Sequence, residues 1–238
     1  MLIEVADLIT KIPEEGGIAP LLEDYKTNRA LEPDIVIDAS IYRKGRLECV
    51  SDYIAAYMGS GSQFHYWLLR FGGMMLHASA VELGGRAFLF SGPSGMGKST
   101  HTGLWLKEYP DARIFNDDKP ALRCIDGKWF AYGTPWSGKN HLNINIKVPL
   151  AGICFLKRGS ENSIRRLSPP EAVQRLIHQT MRVFNEASEL DLMLACVERI
   201  VEDIPIYELH ALPDSSAARL SHDTMFDSMP FGAEDLNL

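Results

Sequence analysis

Hydrophobic and polar residues form two pairs of short, strand-like segments in the middle of the chain. The segments "MMLHASAVEL" and "RAFLFSG" flank Gly84-Gly85, and the segments "ALRCI" and "KWFAY" flank Asp126-Gly127. Apolar runs on either side of Gly-Gly or Asp-Gly are the typical signal of a β-hairpin with a two-residue turn. We therefore predict two hairpins, and in the first of them Leu83 pairs with Arg86.

The rest of the pattern predicts further strands and helices. Short apolar runs predict strands in "ARIFNDD", "AGICFLKRG", "SIRRLS" and "PIYELHAL". Helical periodicity predicts helices in "KSTHTGLWLKEY", which Pro110 ends, in "PEAVQRLIHQTMRVF" and in "ELDLMLACVERIVEDI". Together these elements predict an α/β fold with a mixed, hairpin-rich sheet.

The first 70 residues show a weaker pattern than the rest of the chain. "DIVIDASIY" looks like a strand, but a Gly-Gly pair at 16–17 and "GSGS" at 59–62 interrupt any longer periodicity. We predict three regions: an irregular, β-containing layer over 1–70 that packs on the core, a domain over 71–228 that carries the chemistry, and a flexible tail over 229–238.

The composition argues against several classes of function. The 238 residues are 46% hydrophobic and 23% charged, with a formal net charge of -7, and an acidic chain is a poor partner for nucleic acid. No apolar run approaches the roughly 20 residues that a membrane span needs, and the first residues lack the pattern of a signal peptide. The cysteines, which lie far apart as in a reduced cytoplasmic protein, are Cys49, Cys124, Cys154 and Cys196. We expect a cytoplasmic protein with no nucleic-acid or membrane partner.

The segment "SGPSGMGKST" has the spacing of a phosphate-binding P-loop, the Walker A motif. Glycines let backbone N–H groups turn toward an anion, and the N-terminus of the following helix adds its dipole. Lys98 can reach the β- and γ-phosphates of a nucleotide, and the hydroxyl of Ser99 can bind Mg²⁺. The candidate nucleotide-binding residues are Gly92, Pro93, Ser94, Gly95, Met96, Gly97, Lys98, Ser99 and Thr100. The alternative is a glycine-rich turn that only caps a helix.

His77 gains interest from the predicted hairpin. If Leu83 pairs with Arg86, the same register places His77 opposite Gly92, the first glycine of the loop. There a histidine can hydrogen-bond the γ-phosphate or a neighbouring carboxylate. The alternative is a core histidine whose hydrogen bonds are satisfied, and a register slip of one residue would turn the side chain to the other face.

Asp117 and Asp118 end the predicted strand "ARIFNDD". A kinase needs one carboxylate on or near the metal and one within reach of the acceptor hydroxyl. An acidic pair at a strand end, one helix after the loop, can serve both needs. Because Asn-Asp-Asp-Lys-Pro is also favourable turn chemistry, an exposed turn is the alternative.

"GTPWSGK" follows the second hairpin and combines glycines, an aromatic residue, a serine and a lysine. We consider Trp136, Ser137 and Lys139 as candidates for contacts with a substrate. The alternative, which the sequence does not separate from the first, is an ordinary turn with Trp136 packed on the core.

The set "LHASAV", "SGPSGMGKST" and "FNDD" resembles the catalytic domain of HPr kinase/phosphorylase and its shorter relatives. That domain shares its nucleotide-binding architecture with ATP-dependent phosphoenolpyruvate carboxykinase. The resemblance covers residues 73–160 with specific motifs and extends more weakly to 225. It implies catalytic roles for His77, Lys98 and Asp117, with Asp117 as the base toward a serine hydroxyl. It places Ser99 on the metal, and we assign Asp118 to the metal as well.

Some features differ from HPr kinase. Thr100 stands where that family has Glu, and the family's Glu-Ile-Arg-Gly stretch has no counterpart, although "WSGKN" lies near its place. The separate N-terminal domain of the bifunctional enzymes is not recognisable in 1–70. The acceptor therefore stays open among a serine-bearing peptide, a protein and a small molecule.

We predict a Mg-ATP-dependent phosphotransferase, similar to HPr serine kinase, that transfers the γ-phosphate to a hydroxyl acceptor. ATP and Mg²⁺ are the implied ligands. The alternative is a sensor or assembly factor that binds the nucleotide without transferring phosphate. Whether the protein is a homo-oligomer, and whether it has phosphorylase activity, stay open.

Overall fold

The structure, a computed structural model, describes residues 1–29, 31–40, 50–181 and 187–227. Cys49 and the predicted tail over 229–238 lie outside these ranges, as do the last residues of "DIVIDASIY" and of "PEAVQRLIHQTMRVF". No helix in the described ranges is long and apolar enough to cross a membrane.

Runs of consecutive strands are separated by helices along the chain. The strands are β1 Leu2–Val5, β2 Leu8–Lys11, β3 Ile35–Val36, β4 Gly73–Met75, β5 Ala78–Leu83, β6 Arg86–Ser91, β7 Arg113–Asn116, β8 Ala121–Ile125, β9 Lys128–Tyr132, β10 Lys147–Arg158, β11 Ser163–Arg166 and β12 Ile206–Ala211. The helices are α1 Ala19–Leu22, α2 Asp52–Arg70, α3 Lys98–Glu108, α4 Pro169–Gln179, α5 Ala187–Asp203 and α6 Ser215–Asp227. The chain is therefore mixed α/β, as the pattern predicts.

Nine of the described strands form the main sheet, in the order β4-β8-β9-β10-β6-β5-β7, with β12 paired to β10 and β11 paired to β12. The long strand β10 connects the parts of this sheet. Its first residues pair antiparallel with β9, and its later residues pair parallel with both β6 and β12. Strands β1 to β3 form a separate small sheet, so residues before 70 do contribute a β-containing layer.

Both predicted hairpins are confirmed, with the predicted registers. β5 pairs with β6 from Leu83↔Arg86 to Ala78↔Ser91, and β8 pairs with β9 up to Ile125↔Lys128. Gly84 and Gly85 have φ values of 60° and 72°, which is the left-handed backbone that a tight hairpin turn needs. The first hairpin thus delivers the chain into the glycine loop in the expected register.

The two faces of β6 pack against different helices, because successive side chains of a strand point to opposite sides. Ala87 and Leu89 belong to the core shared with α4 and α5. Phe88 and Phe90 belong to the core that includes Trp105 of α3. The strand before the glycine loop is therefore buried on both faces, which holds the start of the loop in place.

The segment "MMLHASAVEL" differs from its prediction, because it forms two strands and not one. β4 ends at Met75 and β5 begins at Ala78. Between them the N–H of His77 donates to the carbonyl of Gln179 at 2.9 Å, and Leu76 bridges to Thr180. This short break draws the end of α4 toward His77.

The sequence pattern did not predict helices α2 and α6. α2 contains "GSGS", and its glycine at 61 allows a close approach: a Cβ there would lie 2.9 Å from the Trp136 ring. A packed glycine inside a helix is stabilised by its tertiary partner and not by its local propensity. α6 packs on α3 through Ser221, which bonds Trp105 and His101.

Candidate functional site

The glycine loop connects the end of β6 to the start of α3. Its glycines at 92, 95 and 97 have φ values of 152°, 77° and 103°, which other residues rarely adopt. The helix begins at Lys98, directly after Gly97. The predicted strand–loop–helix arrangement is therefore present, and the first N–H groups of α3 lie at the loop.

Lys98 lies folded back into this loop. Its side chain is only 8% exposed, and its Nζ donates to the carbonyl of Gly92 at 2.9 Å and to that of Pro93 at 3.4 Å. Burial lowers the pKa of Lys98, while the charge of Asp118 acts in the opposite direction. The ammonium group is held by neutral carbonyls, which an anionic ligand with a stronger attraction can replace.

Asp117 lies against the loop and the start of α3. Its carboxylate accepts the hydroxyl of Ser99 at 3.1 Å and the hydroxyl of Ser79 at 2.7 Å. Asn140 donates to the same carboxylate at 3.5 Å. Ser79 is fully buried and Ser99 is exposed, so the carboxylate is held from the protein interior by Ser79 and meets Ser99 on the solvent side. Hydroxyl and carboxylate oxygens are ligands that Mg²⁺ prefers.

Asp118 lies beside His77. Its Oδ1 is 3.3 Å from Nε2 of His77 and 3.1 Å from Nζ of Lys119. The pKa of His77 is lowered to about 4, first by burial and then by the charges of Lys119 and Lys98, against the opposing effects of Asp118 and Gln179. His77 is therefore neutral at pH 7, and its uncharged ring can donate a hydrogen bond from Nε2 to the carboxylate of Asp118.

The turn after β7 separates the two carboxylates. Asn116 is fully buried, and its side-chain oxygen accepts the N–H groups of both Asp118 and Lys119 at 3.0 and 2.8 Å. Its amide group donates to Thr134. The backbone leaves the strand at this point, and the neighbouring carboxylates consequently meet different surroundings: the hydroxyls of Ser79 and Ser99 for Asp117, and His77 and Lys119 for Asp118.

The three candidate residues in "GTPWSGK" lie in different environments. Trp136 is 3% exposed, packs against Phe64 with ring centroids 4.9 Å apart, and donates its N–H to Ser60. Ser137 is buried and accepts a hydrogen bond from Asn143. Lys139 is exposed. Trp136 is therefore packed on the core, as expected if this segment is an ordinary turn. One side of its ring also borders a cavity that is described next.

Two cavities flank these carboxylates and the loop. One has a volume of about 420 Å³ and lies beside the loop and α3, where Gly97, Thr100, His101 and Leu104 contribute to its lining. The other has a volume of about 530 Å³ and extends from Asp118 and Lys119 to α2. We call the first the loop cavity and the second the Asp118 cavity. A third cavity, of about 390 Å³, lies beside Gly92, Pro93 and Met96 of the loop.

Four polar residues of the site were not predicted from the sequence: Ser79, Thr102, Lys119 and Asn140. Ser79 had a signal. It stands two residues after His77 in an apolar strand, and residues two apart on a strand share a face. Asn140 had none, because its approach to Asp117 depends on the path of a long connection between β9 and β10.

Comparison with known proteins identifies a family. The model of the family described as "SynChlorMet cassette protein ScmC" matches residues 62–213, which is more than half of the chain. The chain belongs to the ScmC family. The matched range begins inside α2 and includes His77, the glycine loop and both aspartates. The family description names no reaction.

Other comparisons add little. No curated protein matches the chain. Among solved structures, the Hpr(Ser) kinase/phosphatase from Coxiella burnetii is similar at 10% identity and a TM-score of 0.37, over 64% of this chain and 98% of that one. A likeness at this TM-score carries no weight for the fold or the function. In the described residues no group of three or more His, Cys, Asp or Glu side chains is arranged to hold a metal ion.

Proposed function

We propose that this protein transfers the γ-phosphate of ATP to a hydroxyl group of an acceptor. One observation carries the proposal. At the mouth of a glycine loop, the hydroxyl of Ser99 meets the carboxylate of Asp117, with the buried Lys98 beneath them and the His77–Asp118 pair beside them. Phosphoryl transfer requires such a set: a cation for the phosphates, oxygen ligands for Mg²⁺, and a carboxylate near the acceptor.

The loop and Lys98 supply the groups that hold the nucleotide. The N–H groups of the loop and of the first turn of α3 attract an anion. Lys98 already lies among the loop carbonyls, so its charge is held next to the N–H groups that attract the phosphates. The loop cavity offers space for the rest of the nucleotide beside Thr100 and Leu104.

Ser99 and Asp117 fit Mg²⁺. Their oxygens already lie 3.1–3.2 Å apart, and Ser79 holds the carboxylate from the buried side. When bound, Mg²⁺ neutralises charge on the phosphate oxygens. One carboxylate oxygen of Asp117 and the hydroxyl of Ser99 would hold the ion in place of the hydrogen bond between them.

Asp118 is better placed than Asp117 to act as the base. The sequence resemblance gives the base role to Asp117, and from the sequence we assign Asp118 to the metal, but the contacts favour the opposite division. Asp117 is engaged by two hydroxyls, whereas Asp118 meets His77 and Lys119 through one oxygen, Oδ1, and borders the second cavity. In this arrangement Asp118 takes the acceptor proton, and His77 fixes the direction of its carboxylate.

Three variants test the proposal: Lys98→Ala, Asp117→Asn and Asp118→Asn. Asp126→Asn is the matched control, because Asp126 lies in a hairpin turn far along the chain from the loop, with a φ of 50° that Asn tolerates. Titration calorimetry measures ATP affinity with and without Mg²⁺. Single-turnover assays with serine-containing peptides and free serine measure transfer.

We expect Lys98→Ala to lose transfer and to weaken ATP binding. Asp117→Asn should remove most of the Mg²⁺-dependent gain in ATP affinity. Asp118→Asn should leave that affinity nearly unchanged while transfer falls by about 10²–10⁴-fold. If the effects of the two Asn variants are exchanged, Asp117 is the base, as the resemblance implies. If MgATP binds but no acceptor is phosphorylated, the chain is a nucleotide-dependent sensor or assembly factor.

A further inference from the structure

The Asp118 cavity combines a polar end with apolar walls. Its polar end is formed by Asp118 and Lys119, and Ser62, Lys139 and His141 also line the cavity. Its walls are aromatic rings and methionine side chains: Tyr53, Tyr57, Met58, Met75, Trp136 and Met181. A volume of about 530 Å³ is typical of a pocket for a small molecule or a pair of side chains. A ligand that fits it has one polar group and one apolar group.

The walls of this cavity are held in fixed positions. The N–H of Gly138 donates to the hydroxyl of Tyr57 at 2.9 Å, and Trp136 donates to Ser60 at 3.0 Å. Gly61 leaves no room between α2 and the Trp136 ring. Burial raises the pKa of Tyr57 to about 12, so its hydroxyl stays neutral at pH 7. The part of the wall formed by Tyr57 and Trp136 is therefore held in place, and it binds an apolar group at little cost in ordering.

Large apolar side chains are also exposed at the mouth of the cavity. Met58 is 63% exposed, Ile54 is 45% exposed and Tyr53 is 38% exposed, and all three lie on α2 and line the cavity. A cluster of exposed apolar groups next to a pocket is typical of a binding surface. Methionine adapts its shape to different partners, which suits the recognition of an apolar side chain.

We propose that the Asp118 cavity binds the acceptor, and that the acceptor is a peptide with an apolar or aromatic residue next to its serine. The apolar side chain lies among Tyr57, Met58 and Trp136. The serine hydroxyl then lies at the polar end, next to Asp118. This inference rests on the proposed function for the transfer step, but the binding preference can be measured without transfer.

Methionine methyl groups report on this cavity directly. Met58, Met75 and Met181 line it, Met96 lies at the glycine loop, and the buried Met74 lies in the core. Protein labelled with ¹³C at the methionine methyls is titrated with N-acetyl-Ser-Phe amide, and separately with N-acetyl-Ser-Gln amide as a neutral polar control of similar size. NMR spectra then show which methyl groups each probe reaches.

We expect N-acetyl-Ser-Phe amide to shift the signals of Met58, Met75 and Met181 while Met74 stays unchanged. Because burial of an aromatic ring is favourable, it should bind about tenfold or more tightly than N-acetyl-Ser-Gln amide. Met58→Glu should abolish the shifts of Met75 and Met181. Leu190→Glu is the matched control, because Leu190 on α5 is 41% exposed and does not line the cavity.

Three results would overturn this inference: equal affinity for the two probes, shifts outside the cavity, or loss of binding in Leu190→Glu as well. Shifts of Met58 and Met181 with MgATP alone would assign the cavity to the nucleotide. Failure of the proposed function looks different: either MgATP shifts neither Met96 nor any other methyl group, or MgATP binds and no acceptor is phosphorylated, while the peptide result stands on its own. Concentration-dependent shifts without a probe would indicate that a second copy of the chain covers the cavity.

Discussion

The Ser79 hydroxyl holds the carboxylate of Asp117 in place, and its removal tests whether that carboxylate binds Mg²⁺. Ser79 is fully buried on β5, and its hydroxyl donates to Oδ1 of Asp117 at 2.7 Å. The Oγ atom of Ser79 also lies 3.1 Å from the hydroxyl oxygen of Thr102 on α3. Ser79 touches neither the glycines of the loop nor Lys98 through any hydrogen bond that the described structure contains. Ser79→Ala therefore changes the carboxylate and leaves the loop in place.

The expected magnitude follows from the kind of hydrogen bond. A hydrogen bond to a charged group contributes about 1.5–3 kcal/mol, and about 1.4 kcal/mol corresponds to a factor of ten in affinity. Ser99 and Asn140 still hold Asp117 in the variant, so the lower end of this range applies. We expect MgATP binding to weaken about tenfold. ATP binding without Mg²⁺ should not change, because the hydroxyl acts only through the carboxylate.

Titration calorimetry with and without Mg²⁺ measures both affinities, and thermal unfolding measures the cost to stability. Ser221→Ala is the control, because Ser221 is also fully buried and makes hydrogen bonds to His101 and Trp105, away from Asp117. It should lower the melting temperature and leave the Mg²⁺-dependent gain in affinity intact. If Ser79→Ala weakens ATP binding equally with and without Mg²⁺, Asp117 does not hold the metal.

Two further predictions concern acid pH and the turn beside Asp118. Burial lowers the pKa of His65 and of His101 from 6.5 to about 4, so the unfolded chain binds more protons than the folded chain between these values. The free energy of unfolding, measured with urea, should therefore fall as the pH drops from 6.5 to 4, by up to about 3 kcal/mol for each histidine, and a flat profile would contradict this. Gly138 has a φ of 76°, and a Cβ there would lie 3.0 Å from Cβ of Asp118. Gly138→Ala should lower transfer in single-turnover assays more than it lowers ATP affinity, and an equal loss of both would show that the strain spreads to the loop.

The hairpins were predictable because their information is local. A two-residue turn fixes which residues pair, so "LGGR" alone determines the register that runs from Leu83↔Arg86 to Ala78↔Ser91. The glycine loop was predictable for the same reason, since its spacing and its flanking strand and helix are adjacent in sequence. His77 marks the limit of this reasoning: the register reaches its neighbour Ala78, but the break after Met75 depends on Gln179 and Thr180, a hundred residues away.

Helix α2 was not predictable because distant contacts stabilise it. "GSGS" locally favours a turn, and only the Trp136 ring shows why a glycine is needed at 61. The same contact explains why "GTPWSGK" was ambiguous. Trp136 is both a packed core residue and a wall of the Asp118 cavity, so neither interpretation alone describes it. A single sequence contains both segments but not the fact that they meet.

The different roles that we propose for Asp117 and Asp118 depend on one buried side chain. Along a regular strand the two carboxylates would point to opposite faces, but β7 ends at Asn116, before either of them. Asn116 then binds the N–H groups of Asp118 and Lys119 and fixes the turn. Asp117 is left beside the hydroxyls of the loop and Asp118 beside His77 and the apolar cavity. In the proposed mechanism the adjacent acids therefore serve two sides, Asp117 the phosphate and metal and Asp118 an apolar acceptor. The sequence "NDD" shows only that the acids are neighbours. The turn determines which carboxylate lies at the loop, in the place proposed for the metal, and which lies at the cavity, in the place proposed for the base.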